Sequence, residues 1–150
     1  MLVVLPTRRA AALLVALAGF LCATPVAAIT EGRTAQDRPF VSGGVSTDEI
    51  AELNAKRPFF TLSVLTAARG SGAHLASVRV RIVNAKGDVV LETEMDGPYL
   101  FADLTSGNYQ IEARHGDEVQ KRAASVREGA RRDIVLYFKS DAEISPDLKR

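Results

Sequence analysis

The sequence lacks several residue types on which common functional sites depend. Its 150 residues include no tryptophan, one cysteine and two histidines. Sugar-binding sites favour exposed flat aromatic rings, so the absence of tryptophan argues against carbohydrate recognition. The single cysteine, Cys22, lies inside an apolar N-terminal run, and the rest of the chain therefore has no thiol for a disulfide or a metal site.

The first 28 residues have the composition of a secretory signal peptide. Two arginines and no acidic residue precede an unbroken apolar run, Ala10–Leu21, and Val26 and Ala28 are small residues where a signal peptidase cleaves. The run is shorter than the roughly 20 residues that cross a bilayer. We therefore expect cleavage after Ala28, a periplasmic or secreted location, and no membrane span after cleavage.

Charge in the remaining chain is nearly balanced. Residues 29–150 carry 17 basic and 18 acidic side chains. Arginines of the predicted strands alternate with glutamates at similar positions, which is typical of the solvated face of a sheet. We expect no nucleic-acid partner.

An extended lead-in is predicted for residues 29–45. This stretch is polar and is interrupted by three glycines and a proline. Such a composition does not provide a continuous apolar face for a core. We expect it to run along the surface without forming an element of its own.

A short helix is predicted next, over residues 46–57. Ser46 and Glu49 have the spacing of a capping box, in which the serine caps the first turn. Ile50 and Leu53 lie on one helical face, which is too small to stabilise an isolated helix but can pack on a larger body. Pro58 ends the helix.

From residue 58 to residue 139 the periodicity becomes that of β-strands. Apolar and polar residues alternate, and turn signals recur about every ten residues, as in a small antiparallel sandwich. The predicted strands number seven: Phe59–Thr66, Ser77–Asn84, Val89–Met95, two strands between Asp96 and Ala113, Glu118–Val126 and Arg132–Lys139. The sixth is the most polar and is predicted to be an edge strand. Residues 140–150 are charged, contain a proline and are expected to be a disordered tail.

The second and third strands allow a prediction of register. If residues 85–88 form the loop, Ile82 pairs with Leu91, and the apolar residues of both strands share one face. The same register places Arg81 opposite Glu92 and Arg79 opposite Glu94 on the wet face. These opposite charges would stabilise the sheet without any ligand.

A six-residue motif carries a resemblance to a known family. The chain contains Asp96-Gly97-x-Tyr99 and, after a short connection, Leu104-x-x-Gly107-x-Tyr109. With the flanking strands, this pattern resembles carboxypeptidase-regulatory-like domains, which are transthyretin-like seven-stranded β-sandwiches. In the motif, Gly107 is expected to take a positive φ, and the Tyr109 hydroxyl to bond to nearby backbone.

The function expected from this resemblance is non-catalytic. Small exported bacterial proteins built around such a domain are similar to this chain, and fold alone supplies no activity. We expect an accessory or protein-binding module of the cell envelope, with no cofactor, no catalytic residue and no metal ligand.

An enzymatic alternative comes from the same fold. Transthyretin-like 5-hydroxyisourate hydrolases carry a histidine in the first strand where Val64 lies here, and they end in Tyr-Arg-Gly-Ser where this chain has Tyr137-Phe-Lys-Ser140. The acid or base that hydrolysis needs is thus missing at these positions. A cleft with convergent polar groups would favour the enzyme, and its absence would favour a binding module.

Metal binding is the remaining chemical alternative. His74 and His115 both follow or precede turn residues, and two histidines in separate turns seldom converge. Four acidic residues could gather around calcium but lack the dense spacing of a calcium loop: Glu92, Glu94, Asp96 and Asp103. Solvated turn and strand residues are the favoured interpretation.

Overall fold

The computed structural model describes residues 29–139, and the predicted signal peptide and tail lie outside this range. The described chain is mainly β, with one short helix and one 3-10 turn. Its elements, in order, are β1 Thr30–Arg33, β2 Pro39–Gly43, α1 Thr47–Lys56, the 3-10 turn Arg57–Phe59, β3 Leu62–Ala68, β4 Val78–Asn84, β5 Val89–Met95, β6 Tyr99–Ala102, β7 Gly107–His115, β8 Glu118–Val126 and β9 Arg132–Phe138.

The strands form two sheets that enclose one apolar core. The five-stranded sheet has the order β1-β2-β6-β3-β9, and the four-stranded sheet has the order β5-β4-β7-β8. Side chains from the facing surfaces of both sheets make up the core, including Val64 and Leu136 of the first sheet and Val80 and Ile111 of the second. The predicted edge position of the sixth strand is confirmed, because β8 ends the four-stranded sheet.

The described strands number nine, so the prediction of seven was wrong. Seven do lie between residues 62 and 138, and the two additional strands come from the predicted extended lead-in. The error concerned β2, which is buried on both faces: Phe40 points into the main core and Val41 packs on the opposite side. A strand covered on both faces shows no alternation, so the sequence carried no periodic signal for it.

The expectation of a wholly antiparallel arrangement was also wrong. β3 and β9 pair in parallel, with Leu62 beside Arg132 and Ala68 beside Phe138. Parallel neighbours need a long crossover, and here the chain from β4 to β8 provides it. Periodicity reports which residues are buried and does not report the direction of the neighbouring strand.

The predicted hairpin register is confirmed. β4 and β5 pair Ile82 with Leu91, Arg81 with Glu92 and Arg79 with Glu94. The ladder shifts by one residue beside the loop, where Val83 pairs with Val89 and Val90 becomes the extra residue. This bulge buries Val90 and Leu91 together, and the Val90 carbonyl accepts a hydrogen bond of 2.8 Å from the Ala35 N–H.

Helix α1 begins and ends where the sequence predicted. Ser46 caps it by accepting a 3.2 Å hydrogen bond from the Glu49 N–H, and the 3-10 turn containing Pro58 follows it. The Glu49 carboxylate differs from the capping-box expectation, because it accepts from Gly44 and Val45, both at 3.0 Å, and not from Ser46. This buried carboxylate therefore fixes the helix to the end of β2.

The helix covers part of the outer face of the five-stranded sheet. Leu53 is almost fully buried and packs in a second, smaller core with Val41, Phe60 and Phe101. Ile50, the other predicted contact, is only partly buried. The covered area includes β2 and β6, and it leaves the β9 side of the same face open.

Candidate interaction surface

The first half of the predicted motif holds the N-terminal segment in place. The Asp96 carboxylate accepts a hydrogen bond from the Thr30 hydroxyl. A methyl group on Gly97 would lie 2.2 Å from the Gly43 carbonyl oxygen, so the two chain segments touch without room for a side chain. Tyr99 packs against Gly44 in the same way, at 2.5 Å from a hypothetical Cβ. These motif residues serve the fold, and they contact β1, β2 and the turn after β2.

The second half of the motif forms a hydrogen-bonded corner. The Tyr109 hydroxyl donates to the Thr105 carbonyl at 2.7 Å, which is the backbone contact that the sequence predicted. It also lies 3.0 Å from the Gln36 side-chain nitrogen, and Gln36 in turn accepts from the Thr105 N–H at 3.2 Å. Leu104 is buried in the main core. The corner thus binds the connection between β1 and β2.

Gly107 does not have the conformation that the sequence predicted. It is not among the described glycines with positive φ, and a Cβ there would make ordinary contacts of 3.7 Å with the Tyr109 ring. The prediction assigned the turn to this glycine, but Gly107 is the first residue of strand β7 and has an extended backbone.

The two histidines lie in separate surroundings. The His74 ring packs edge-on against Tyr99 with centroids 5.6 Å apart, and the His115 ring packs against Phe138 at 5.8 Å. Among residues 29–139 no three histidine, cysteine or acidic residues are grouped closely enough to hold a metal ion. The acidic residues considered for calcium have different partners: Glu94 pairs with Arg79 at 3.7 Å and Asp103 with Arg38 at 2.8 Å.

The positions compared with the hydrolase family are also separate. Val64 is fully buried in the main core, and Tyr137 is half exposed on the opposite face of the sheet. Strand alternation directs the two side chains to different sides of the five-stranded sheet. They do not contribute to a common cleft.

The uncovered part of the outer face carries exposed apolar side chains. On β9, Ile134 and Leu136 point into the core, so Val135 and Tyr137 point outward, and they are 40% and 49% exposed. Phe59, at the end of the 3-10 turn, is 77% exposed. We call Phe59, Val135 and Tyr137 the outer apolar patch. Phe59 lines a groove with Asp133, which lies two residues before Val135 on β9. Exposed large apolar side chains in one region are a common feature of interaction surfaces.

Shallow grooves lie on both sides of Phe59. One, of about 670 Å³, runs between residues 58–61 and residues 129–133. The other, of about 450 Å³, lies between Phe59 and the β1–β2 strands, near Lys56 and Glu31. Both grooves are open to solvent, and the Phe59 side chain separates them. This shape suits contact with another macromolecule better than enclosure of a small molecule.

Strand β9 also has an open edge. The Arg132 N–H donates to Thr61 and the Phe138 carbonyl accepts from Arg69, so residues of even number bond toward β3 and its neighbouring loop. Alternation then points the N–H and C=O groups of Asp133 and Val135 to the other edge. Within the described chain no strand pairs with that edge.

The C-terminal end of β9 is closed by side chains. Glu118 accepts the Lys139 N–H at 2.7 Å and the Arg69 guanidinium at 2.9 Å, while Gln120 donates to the Tyr137 carbonyl at 3.3 Å. The hydrogen bond from the Lys139 N–H lowers the pKa of the Glu118 carboxyl below its ordinary value. Only the first half of the β9 edge is therefore open.

An unpaired basic cluster lies beside this open half. Arg127, Arg131 and Arg132 line a groove of about 280 Å³ between the end of β8 and the start of β9, together with Ser125 and Ala130. None of the three arginines forms an ion pair with a residue in the range 29–139. Arg79 of β4 differs, because it faces Glu94 across the sheet and forms an ion pair with it.

Sequence reasoning missed the outer apolar patch and the basic cluster. It treated Phe59 as the first residue of a strand, and Arg127, Arg131 and Arg132 as part of a solvated, charge-balanced surface. The pattern Phe59-Phe60 contained a signal, since two adjacent aromatics cannot both face the core from an extended strand.

Among the residues that the structure describes, no helix has the length and apolar character that a bilayer crossing requires.

One comparison with known proteins gives a match. The profile of a family described as the Rhizobiales growth-associated tandem repeat domain matches residues 61–138. This range begins just before β3 and ends with β9, so it covers the seven strands of the predicted unit and excludes β1, β2 and α1. No curated protein matches the chain.

Proposed function

The chain belongs to the family of the Rhizobiales growth-associated tandem repeat domain, and we propose that it is a non-catalytic, exported module of the cell envelope that binds a protein partner. The observation that carries this proposal is the outer apolar patch. Phe59, Val135 and Tyr137 remain exposed beside a strand edge, while α1 covers the part of the same sheet face formed by β2 and β6.

The family description supports a binding role. It speaks of a growth-associated domain that occurs in tandem. Domains used in repeated copies commonly act by presenting extended surfaces to partners. In this chain one copy matches, and its own N-terminal segment covers β6 and part of the outer face, so β9 remains as the open side.

Export is part of the proposal. Its support is the N-terminal sequence, in which a basic start, an apolar run and a small-residue cleavage site follow one another. Mass spectrometry of the protein from its host should find a mature chain that begins at Ile29. An intact Met1 would contradict export by this route.

The finer fold assignment belongs to the same proposal. We propose that the unit of seven strands has the transthyretin-like arrangement of carboxypeptidase-regulatory-like domains. Its support is the pairing of the Asp96-Gly97-x-Tyr99 and Leu104-x-x-Gly107-x-Tyr109 motif with two sheets of three and four strands in residues 61–138.

A site-specific cross-linking experiment tests partner binding. A photoreactive benzoylphenylalanine at position 59 replaces one exposed aromatic ring with another and should give discrete adducts in the native envelope. The matched control places the same residue at Glu92, which is exposed on the four-stranded sheet. No adduct from position 59, or the same adducts from both positions, would overturn the proposal.

A further inference from the structure

We propose that the open edge of β9 binds a short acidic segment of a partner protein as an added antiparallel strand. This inference rests on the proposed binding function and names the partner's chemistry and mode of attachment. It is carried by three observations at one place: free backbone groups, an adjacent basic groove and an adjacent apolar patch.

The backbone groups define where the segment binds. Alternation leaves the N–H and C=O groups of Asp133 and Val135, and the N–H of Tyr137, pointing away from β3. The next groups along the strand, the Tyr137 carbonyl and the Lys139 N–H, are bonded by Gln120 and Glu118. An added strand can therefore pair with about four residues before it meets these side chains, and edge pairing supplies affinity through main-chain hydrogen bonds.

The basic groove defines the charge of the segment. Arg127, Arg131 and Arg132 line the space under the start of β9, next to the backbone groups of Asp133. The nearby Asp133 carboxylate is already paired with Arg57 at 2.8 Å. Glu128 is the other acidic residue of this loop, so the groove retains an excess of positive charge. Acidic side chains on the inner side of the added strand would match it.

The apolar patch defines the residues that alternate with the acidic residues of the added strand. Val135 and Tyr137 project from the outer side of the same edge and are 40% and 49% exposed. Neighbouring residues across strands pack side by side when they share a face. The added strand should therefore alternate acidic residues, directed to the arginines, with apolar residues beside Val135.

A second copy of this strand is a poor occupant. Antiparallel pairing of two β9 strands around Val135 would place Arg132 opposite Phe138 and Arg131 opposite Lys139. Parallel pairing would place arginines beside arginines. Both arrangements bring like charges together, which disfavours self-association and favours an acidic strand.

The test uses a defined peptide and the mature chain, residues 29–150. The probe is an end-capped peptide of seven residues that alternates glutamate and valine. Bound peptide should protect the amide hydrogens of Asp133, Val135 and Tyr137 from exchange in NMR. Its affinity should fall at least tenfold in the Arg131→Gln/Arg132→Gln double variant. Arg114→Gln, at an exposed arginine on the outer face of β7, is the matched control and should leave the affinity unchanged.

Two further peptides distinguish strand addition from charge attraction. Alternating lysine and valine should not bind. The glutamate peptide methylated on the backbone nitrogens of its valines keeps its charge but cannot complete the ladder on that edge, so it should also lose at least tenfold in affinity. Equal binding of the methylated peptide would overturn the proposal, as would shifts confined to another surface.

Two other outcomes also overturn it. Protection of Val135 and Tyr137 amides before peptide is added would show that another part of the chain already occupies the edge. Self-association, measured as a higher molecular mass of the protein in solution, would show that a second copy occupies the edge if it also abolishes peptide binding. If cross-linking from position 59 succeeds while these peptide results fail, the binding function stands and the edge mechanism fails.

Discussion

The two ends of the five-stranded sheet differ in how far other segments cover them. At one end β1 and β2 extend the sheet, α1 covers its outer face, and glycines allow backbone segments to touch. At the other end, half of the β9 edge and three nearby arginines have no partner within residues 29–139, and exposed apolar residues lie beside them. Strands β1 and β2 and helix α1 lie outside the family match, and β9 lies within it.

Under the proposed function, stability and partner binding therefore depend on separate parts of the molecule. Motif residues that could have belonged to a binding site, such as Asp96 and Tyr109, instead hold the N-terminal segment. The residues available to a partner are those that no element covers. Substitutions at the closed end should therefore reduce stability, and substitutions at the open end should not.

The largest effect is expected for Leu53→Ala. Leu53 is 1% exposed, and its truncation should lower the free energy of unfolding by about 3 kcal/mol, because the transfer term and the cavity add. Phe59→Ala removes a larger side chain that is exposed, and it should change stability by less than about 0.5 kcal/mol. Urea unfolding measures both variants. Equal losses would show that the open end is also structural.

The next effect is expected for Gly97→Ala. The new methyl group would lie 2.2 Å from the Gly43 carbonyl oxygen, so β2 must move, at a cost of about 1–3 kcal/mol. Gly107→Ala is the matched control, because its methyl group has 3.7 Å of space and its φ is not positive. This control should be neutral or stabilising by up to about 1 kcal/mol. A Gly97→Ala protein as stable as the parent chain would contradict the close contact between the segments.

A smaller effect is expected for Tyr109→Phe. The change removes the hydroxyl that donates to Thr105 and that contacts Gln36, and it should cost about 1 kcal/mol of stability. Tyr137→Phe is its counterpart at the open end, where the hydroxyl makes no hydrogen bond within the described chain, and it should be neutral. Thermal unfolding of the two variants checks this. If Tyr137→Phe lost as much stability as Tyr109→Phe, the proposed difference between the two ends of the sheet would be contradicted.

The smallest effect concerns pH at the closed half of the β9 edge. The Lys139 N–H lowers the pKa of Glu118 in the folded state, so the carboxylate contributes stability above the ordinary glutamate pKa. That contribution is lost as pH falls through the lowered value. NMR titration should find that the pKa of Glu118 lies below the ordinary glutamate value, and that the Lys139 amide loses protection, relative to its intrinsic exchange rate, once Glu118 is protonated. A Glu118→Gln variant has no group at this position that titrates, so its Lys139 protection should not change over this pH range. An unshifted Glu118 titration would contradict the contact.

Much of the fold follows from local pattern. Alternation placed the strands of residues 62–138 and the register of β4 with β5, since a slip of one residue would expose a whole apolar set. Ser46 predicted the start of α1 because its side chain satisfies a backbone N–H of the first turn. The motif around Tyr109 predicted the hydrogen bond between its hydroxyl and nearby backbone.

Tertiary structure decided what no local pattern records. β2 is buried on both faces and so lacks alternation, and the parallel pairing of β3 with β9 joins residues about 70 positions apart, beyond the range of any periodic signal. The candidate interaction surface was likewise beyond local pattern. The sequence contains Phe59 and the three arginines, but whether a side chain is covered depends on which distant segment packs over it. Helix α1 packs over Phe101 and not over Val135, and this choice alone determines which part of the sheet a partner can reach.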